Sequence, residues 1–259
     1  LNAILADQKI ELMFQKHTNT YGLIGYPLTH SFSPGYFKQK FEKEGISDSQ
    51  YLLFEMESLD QLRDLTTLYP SIKGLNVTIP HKETILPFLD AITPEAQQIG
   101  AVNTIQIQHG KWIGHNTDVI GFRASIRDWL DDFSIQTALI LGSGGASKAA
   151  QFVLKSEGIP FKTVSRKGDF NYGDLNEIIM RSVDLIVNCT PLGMYPDVQG
   201  KPPIPYSCLS DKHLLFDMIY NPEKTIFLSR GESYGTRIRN GHSMLQLQAE
   251  AAWKIWQSQ

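Results

Sequence analysis

The sequence predicts an α/β protein of two domains. Three observations carry this. Strand-like and helix-like segments alternate through nearly all of its 259 residues. One apolar strand, in "TALILGSGGAS" (137–147), runs through a glycine-rich turn into a helix start. The length suits two domains of about 100–200 residues each.

The elements follow in order. "YGLIGYP" (21–27) reads as a buried strand ending in a proline turn. "SPGYFKQKFEKEG" (33–45) follows as a helix, with Tyr36, Phe37 and Phe41 at helical spacing and a glycine stop. "SQYLLFEME" is a strand, "SLDQLRDLTTLYP" a helix with Ser58 as its cap, and "KGLNVTIP" a strand again. This βαβαβ alternation implies a mainly parallel sheet. "AVNTIQIQHGKWIGHNTD" (101–118) reads as a hairpin turning at His109-Gly110. "VIGFRASIRDWLDD" then reads as one amphipathic helix, with Ile120, Ala124 and Trp129 among its apolar positions. A second series starts at Thr137 and continues through "FKTVSRK", "DLNEIIMR", "DLIVNCT", "HLLFDMIY" and "GTRIRNG". The last segment, "SMLQLQAEAAWKIW", is helical and expected to return to the first domain. The expected division is 1–118 completed by 242–259, and 119–241, with a cleft between the two domains.

Composition limits the function classes. Hydrophobic residues make up 42% and charged residues 20%, ordinary for a globular protein. A net charge of −3 gives no electrostatic case for nucleic acid or an anionic membrane. Cys189 and Cys208 fit no metal spacing or disulfide framework, which points to a reducing, cytoplasmic compartment. No cluster has metal-ligand spacing, so no metal is expected. The N-terminal "LNAILADQKIELMFQ" is too interrupted by Asp7, Lys9 and Glu11 for a signal-peptide core. No apolar run approaches the roughly 20 residues that span a bilayer.

In "LILGSGGAS", Gly142 permits the tight turn and Gly144 a close backbone approach to a pyrophosphate. The helix start adds N–H donors and a positive dipole end. Ser147 stands where G-x-G-x-x-G has its last glycine, and a purely structural turn is the alternative. An NAD site wants an acidic side chain about 20 residues on. Here Ser165-Arg166-Lys167 stands instead, with Asp169 two residues late. A guanidinium grips a 2′-phosphate that a carboxylate would repel, so NADP is expected over NAD. Two surface cations are the plainer alternative.

Two stretches of the first domain are polar at element ends. "HSFSP" (30–34) sets Ser31 and Ser33 at a helix start, where hydroxyls and N–H groups would hold a carboxylate; Ser33 as an N-cap is the alternative. "GHNTD" (114–118) ends the hairpin, and Asp118 as a cap is again the alternative.

Together "SFSP", "LNVTIPHK", "GAVNT", "HNTD", "GSGGAS", "NCTPLGM" and "NGHSMLQLQ" resemble, in order and separation, the shikimate dehydrogenase family, from about Tyr21 to Trp256. The resemblance implies an N-terminal α/β substrate domain, a Rossmann-like NADP-binding domain, and a C-terminal helix returning to the first. It implies that Ser31 and Ser33 bind the substrate carboxylate. Thr78, Lys82, Asn103 and Asp118 would contact the ring hydroxyls, with Tyr220 and Gln248 also reaching the substrate; less is expected of Asn116 and Thr117. Gly142, Gly144, Gly145 and Ala146 match the phosphate loop, Ser165, Arg166 and Lys167 the 2′-phosphate site. Thr190, Met218 and Gly241 would lie near the nicotinamide half. Lys167 replaces a small hydroxyl residue and adds charge, and Ser243 stands where many members carry glycine.

The implied activity is reversible NADPH-dependent reduction of 3-dehydroshikimate to shikimate, by a monomer or homodimer. Lys82, set just past the strand by Pro80, and Asp118 form the expected proton-relay pair; Lys82 as an oxyanion-stabilising donor oriented by Asp118 is the other reading. His30, His81 and His115 flank the motifs and are read as neighbours. Alternatives are a relative acting on quinate with NAD used alongside NADP, a methylenetetrahydrofolate dehydrogenase, and a non-catalytic NADP-responsive regulator. The S-x-S and N-T-D motifs speak against the second, and the retained Lys82 and Asp118 against the third.

Overall fold

A computed structural model describes residues 18–29 and 31–258. The readings of the N-terminal segment and of His30 lie outside these residues. The chain divides into two compact units: the described residues through Asn116 with those from Ala252 onward, and Thr117–Ala251.

The first unit is built on a six-stranded mixed sheet of order β2-β1-β3-β5-β6-β4. β1 (Asn19–Gly25) lies parallel to β2 (Ser49–Glu55) and β3 (Ile72–Val77). α1 (Ser33–Glu44) makes the first crossover and ends where Gly45 turns left-handed at φ 69°. The hairpin is β5 (Thr104–Gln108) and β6 (Lys111–His115), antiparallel, with Gln108 opposite Lys111. Its two-residue turn has positive φ at both His109 (50°) and Gly110 (75°), the twist that suits tight hairpins. β4 (Ala91–Ile92) completes the edge and is followed by α3 (Pro94–Ile99).

Two sequence readings of this unit fail. The helix expected after Ser58 is a 3₁₀ turn (Leu62–Asp64) and a four-residue α2 (Leu65–Leu68). Ser58 does not cap it, because its hydroxyl bonds the side chain and N–H of Asp60. Ser33 is not an N-cap either: Phe32 holds that place and Ser33 is the first helical residue, itself buried.

One face of the sheet packs Ile24, Leu75, Val77, Ile105 and Trp112 into a core. A cluster of rings also packs in this unit, with Tyr21 stacked on Trp256 at 4.9 Å and Phe37 on Tyr51 at 4.5 Å. The Trp256 indole donates to the Ile105 carbonyl and lies where a Cβ on Gly74 would stand, 2.2 Å from the ring.

The second unit is a five-stranded, wholly parallel sheet of order β11-β10-β9-β7-β8. β7 (Ala138–Leu141), β9 (Leu185–Asn188) and β10 (Leu214–Asp217) are buried at every residue. Such near-continuous apolar runs are what a parallel sheet covered on both faces requires. β8 (Phe161–Val164) and β11 (Arg237–Arg239) form the edges. Counted from β7, the order is the doubly wound 2-1-3-4-5, whose switch point lies between β7 and β9.

Leading into this sheet, residues 118–132 are two helices, α4 (Asp118–Ser125) and α5 (Arg127–Asp132), not one. The chain leaves helical geometry at Ile126, with φ −111° and ψ 7°. The buried face is Val119, Phe122, Ile126 and Trp129, whereas Ile120 and Ala124 are exposed. Choosing Ile120 and Ala124 as apolar markers set the stripe on the wrong side. α6 (Gly145–Ser156) follows β7, α7 (Glu177–Arg181) is capped by Asn176, and α8 (Ile226–Ser233) by Thr225. The final helix, α9 (His242–Gln257), contributes to both units, the division falling between Ala251 and Ala252. Among the described residues no helix is long and apolar enough to cross a membrane, and no side-chain group has the makings of a metal site.

Candidate active site

In the first unit the candidate residues stand where β1, β3 and β5 end or begin. The Thr78 N–H donates to Ile24 O, and the Tyr26 N–H to Ile79 O, so the two loops leaving these parallel strands are bonded together. After the cis Ile79–Pro80 peptide the chain coils: His81 N–H bonds Thr78 O, and Ile85 N–H bonds His81 O. His81 is buried, its Nε2 2.7 Å from Met56 O, and anchors this coil. The next residue, Lys82, is half-buried, and its carbonyl accepts from Val102 N–H at 2.7 Å. Val102 precedes Asn103, whose own carbonyl accepts from Val77 N–H. Thr78, Lys82 and Asn103 are therefore held in one backbone network.

Ser31 closes a turn through its N–H to Leu28 O, two residues before the start of α1. Ser33 lies within hydrogen-bonding reach of the Tyr51 hydroxyl. Asn116 spends its amide on Ala101 O at 2.9 Å and fastens the hairpin end. His115 is pushed below the usual histidine range by burial, and its Nε2 has no hydrogen-bond partner among the described residues. Asp118 belongs to the second unit, where it opens α4.

In the second unit Asp118 is buried in the first turn of α4. Its neighbour Thr117 bonds the Gln248 side chain at 3.4 Å, so the N-T-D segment and the α9 glutamine are brought together. The turn after β7 has Gly142 at φ 107°, where a side chain would be strained. A Cβ there would also approach Cys189 and Thr190 at 3.2 Å, placing the first glycine against the chain leaving β9. Gly144 caps α6 with no side-chain cap bond, and its missing Cβ opens on empty space. The N–H groups opening this twelve-residue helix form a cradle of the kind a pyrophosphate fills.

Beyond β8, Ser165 N–H bonds Phe170 O and closes a loop that exposes Arg166, Lys167 and Asp169. That loop leaves the sheet beside the glycine turn, because Gly142 N–H bonds Val164 O. Pyrophosphate cradle and exposed cations together fit a phosphorylated dinucleotide.

Gly241, Met218 and Thr190 cluster at the ends of β9 and β10. Gly241 N–H bonds Ile219 O, and a Cβ on Gly241 would stand 2.2 Å from Met218 O. Under them lies a buried network the sequence reading missed. Asp217 accepts from Asn188 Nδ2, Ile219 N–H and Thr225 Oγ1, while Asn188 Oδ1 accepts from Thr190 N–H and Oγ1. Burial pushes Asp217 up to about 6 against these hydrogen bonds, and burial also raises the Cys189 thiol. A signal did exist: "LIVN" and "LLFD" are apolar strands each ending in one polar residue, at the carboxyl end where such sheets bind ligands. Tyr51 and Asn76, hydrogen-bonded at 2.8 Å, were missed as well. They sit inside strands, where no sequence pattern distinguishes them.

Comparison with known proteins adds an independent line. Residues 23–105 match the family model for the shikimate dehydrogenase substrate binding domain. The chain is 36% identical to a "Shikimate dehydrogenase (NADP(+))" of Methanococcus maripaludis, covering 94% of each. A shikimate dehydrogenase structure from Peptoclostridium difficile superposes with a TM-score of 0.80 at 39% identity, covering 92% of this chain and 91% of that one. A Thermus thermophilus shikimate 5-dehydrogenase, solved with NADP(H) and shikimate, gives 0.81 at 29% identity over 93% and 94%.

Proposed function

The chain belongs to the shikimate dehydrogenase family, and we infer from this that it catalyses the reversible NADPH-dependent reduction of 3-dehydroshikimate to shikimate. The observation that carries most of the reading is the hydrogen bond from Val102 N–H to Lys82 O, which ties the lysine to Asn103 beside Thr78. A cation and two neutral polar groups fixed by backbone suit a ring bearing adjacent hydroxyls.

In this proposal Ser31 and Ser33 hold the carboxylate, while Thr78, Asn103, Tyr220 and Gln248 bind the ring. NADPH, when bound, supplies the hydride. Gly145 and Ala146 hold its pyrophosphate through α6 N–H groups, with Gly142 making the turn and Gly144 leaving room for its approach. Arg166 grips the 2′-phosphate, with Lys167 and the Ser165 turn beside it, and Thr190, Met218 and Gly241 border the nicotinamide. Lys82 gives the proton to the alkoxide oxygen in the reductive direction and holds that oxygen by hydrogen bonding as charge develops. Asp118 orients the ammonium. The enzyme is cytoplasmic, and acts as a monomer or homodimer.

The test follows the reduced cofactor's absorbance with purified protein, pairing shikimate or quinate with NADP⁺ or NAD⁺. Turnover confined to shikimate with NADP⁺ is expected. Equal rates with quinate or NAD⁺ would replace this reading by that of a broader relative. Cofactor binding without turnover of either substrate would sink the catalytic assignment.

A further inference from the structure

We propose that Tyr51 is a positioning residue for substrate binding: its hydroxyl joins Ser33 to Asn103 through Asn76 and Thr104, and sets the direction of each hydrogen bond between them. The proposal rests on the reading of Ser33 and Asn103 as substrate contacts.

Tyr51 lies on β2, and Asn76 on β3, with β1 between them. The phenol spans that strand and donates to Asn76 Oδ1 at 2.8 Å. Its ring is stacked flat on Phe37 of α1, at 4.5 Å and 10°, so the hydroxyl is held in place. Asn76 has one possible orientation. Its Nδ2 donates to Thr104 Oγ1 at 3.2 Å and to Asn103 O at 3.4 Å, which turns Oδ1 toward Tyr51. Thr104 in turn donates to Asn103 Oδ1 at 3.2 Å.

A hydroxyl has a single hydrogen to give. That of Tyr51 goes to Asn76, so the hydrogen between Ser33 and Tyr51 belongs to Ser33. That of Thr104 goes to Asn103 Oδ1, since Thr104 already accepts from Asn76. The amide of Asn103 is thereby fixed with its oxygen toward Thr104 and its two N–H donors on the other side. A ring hydroxyl binding there meets donors. Burial holds the Tyr51 phenol well above the ordinary tyrosine range, with the Ser33 hydrogen bond acting against it. The phenol therefore stays protonated throughout the working pH range.

At the other end a carboxylate needs the hydrogen that Ser33 gives to Tyr51. Rotation about two C–O bonds supplies it without moving a heavy atom. Ser33 turns its hydrogen to the anion, and Tyr51 turns its own from Asn76 to Ser33. The chain Tyr51 to Ser33 to carboxylate is then a charge-assisted series in which each bond strengthens the next. One phenol thus orients Asn76 in the free protein and backs Ser33 once the carboxylate is bound.

The test is Tyr51→Phe, which removes only the hydroxyl and keeps the ring on Phe37. Steady-state kinetics with shikimate and NADP⁺ should show the shikimate KM raised about tenfold, the upper worth of one neutral hydrogen bond, here strengthened by the charge beyond Ser33. The NADP⁺ KM should be unchanged. With shikimate carboxamide, which carries no charge, the penalty should shrink. An unchanged or lower shikimate KM would overturn the proposal. So would equal rises in both KM values, which mark a general loss of structure. Should Tyr51→Phe fail to fold, Thr104→Val breaks the same chain nearer Asn103. It should likewise raise the shikimate KM alone, and no effect would count against the proposal. Wild-type protein that turns over no shikimate would overturn the functional reading first. Active wild type with a normal Tyr51→Phe variant overturns the role of Tyr51 alone.

Discussion

Lys82 and Asp217 show how differently two polar side chains enter the chemistry. Lys82 follows a proline turn and is readable from the sequence as an ammonium placed past a strand end. The proton transfer proposed for it predicts that Lys82→Ala lowers kcat by about a hundredfold or more, the usual worth of a placed general acid. KM for shikimate should move far less, and unchanged turnover would end the assignment. Asp217 touches no proposed ligand directly and acts through Asn188, Thr190 and Ile219. Its folded-state pKa, about 6, lies above the ordinary 3.8 because burial outweighs three donated hydrogen bonds. A raised acid holds its proton more tightly when folded. Its ionisation therefore lowers stability as pH rises from about 4 to 6, and the loss is complete above that window. The scale is on the order of 2–3 kcal/mol. Denaturant unfolding of wild type and Asp217→Asn, compared from pH 7 down to 4.5, should show the wild type gaining relative to the variant. A constant difference would mean that Asp217 titrates normally.

At the level of elements, the sequence was legible where periodicity and punctuation agree. The hairpin at His109-Gly110 and the strand–turn–helix at Gly142 are found as predicted, because each rests on a local backbone demand. It was less legible where tertiary packing decides. The break at Ile126 carries no proline or glycine, and Ser58 satisfies its own turn instead of a helix. Gly74 looks like a weak point in β3, yet it is the space into which Trp256 fits. Gly241 belongs to the same kind of contact, between the segment opening α9 and the chain leaving β10. A Cβ there would lie 2.2 Å from Met218 O, a backbone atom that cannot swing aside. Gly241→Ala should therefore shift Met218, cost roughly 1–3 kcal/mol in urea unfolding, and raise the NADP⁺ KM. Unchanged stability together with unchanged cofactor kinetics would show that the loop yields freely.

At the level of the whole molecule, each unit has its own sheet and core, and the proposed ligand groups divide between them. Ser31, Ser33, Thr78, Lys82 and Asn103 belong to the first. The phosphate turn, Arg166 and the Thr190–Met218–Gly241 cluster belong to the second, along with Asp118, Tyr220 and Gln248. This division was only partly legible, because α9 and the N-T-D segment carry no linker-like composition. It has a consequence for stability, since a ligand adds free energy to the part that binds it. At a hundred times its Kd a ligand contributes about 2.7 kcal/mol. Hydrogen exchange followed by peptide mass spectrometry should then show NADP⁺ alone slowing amides at 142–147, 165–168 and 188–190. Peptides covering 20–24 and 72–77, the central strands of the first sheet, should exchange as in the free protein. Shikimate alone should protect 31–34, 78–82 and 103, and leave the glycine turn unchanged. Protection of 142–147 by shikimate, or of 78–82 by NADP⁺ alone, would contradict the assignment of ligands to units. NAD⁺ at the same concentration should protect 142–147 but not 165–168, because only the 2′-phosphate calls on Arg166. Equal protection of that loop by both nucleotides would remove the physical basis for preferring NADP.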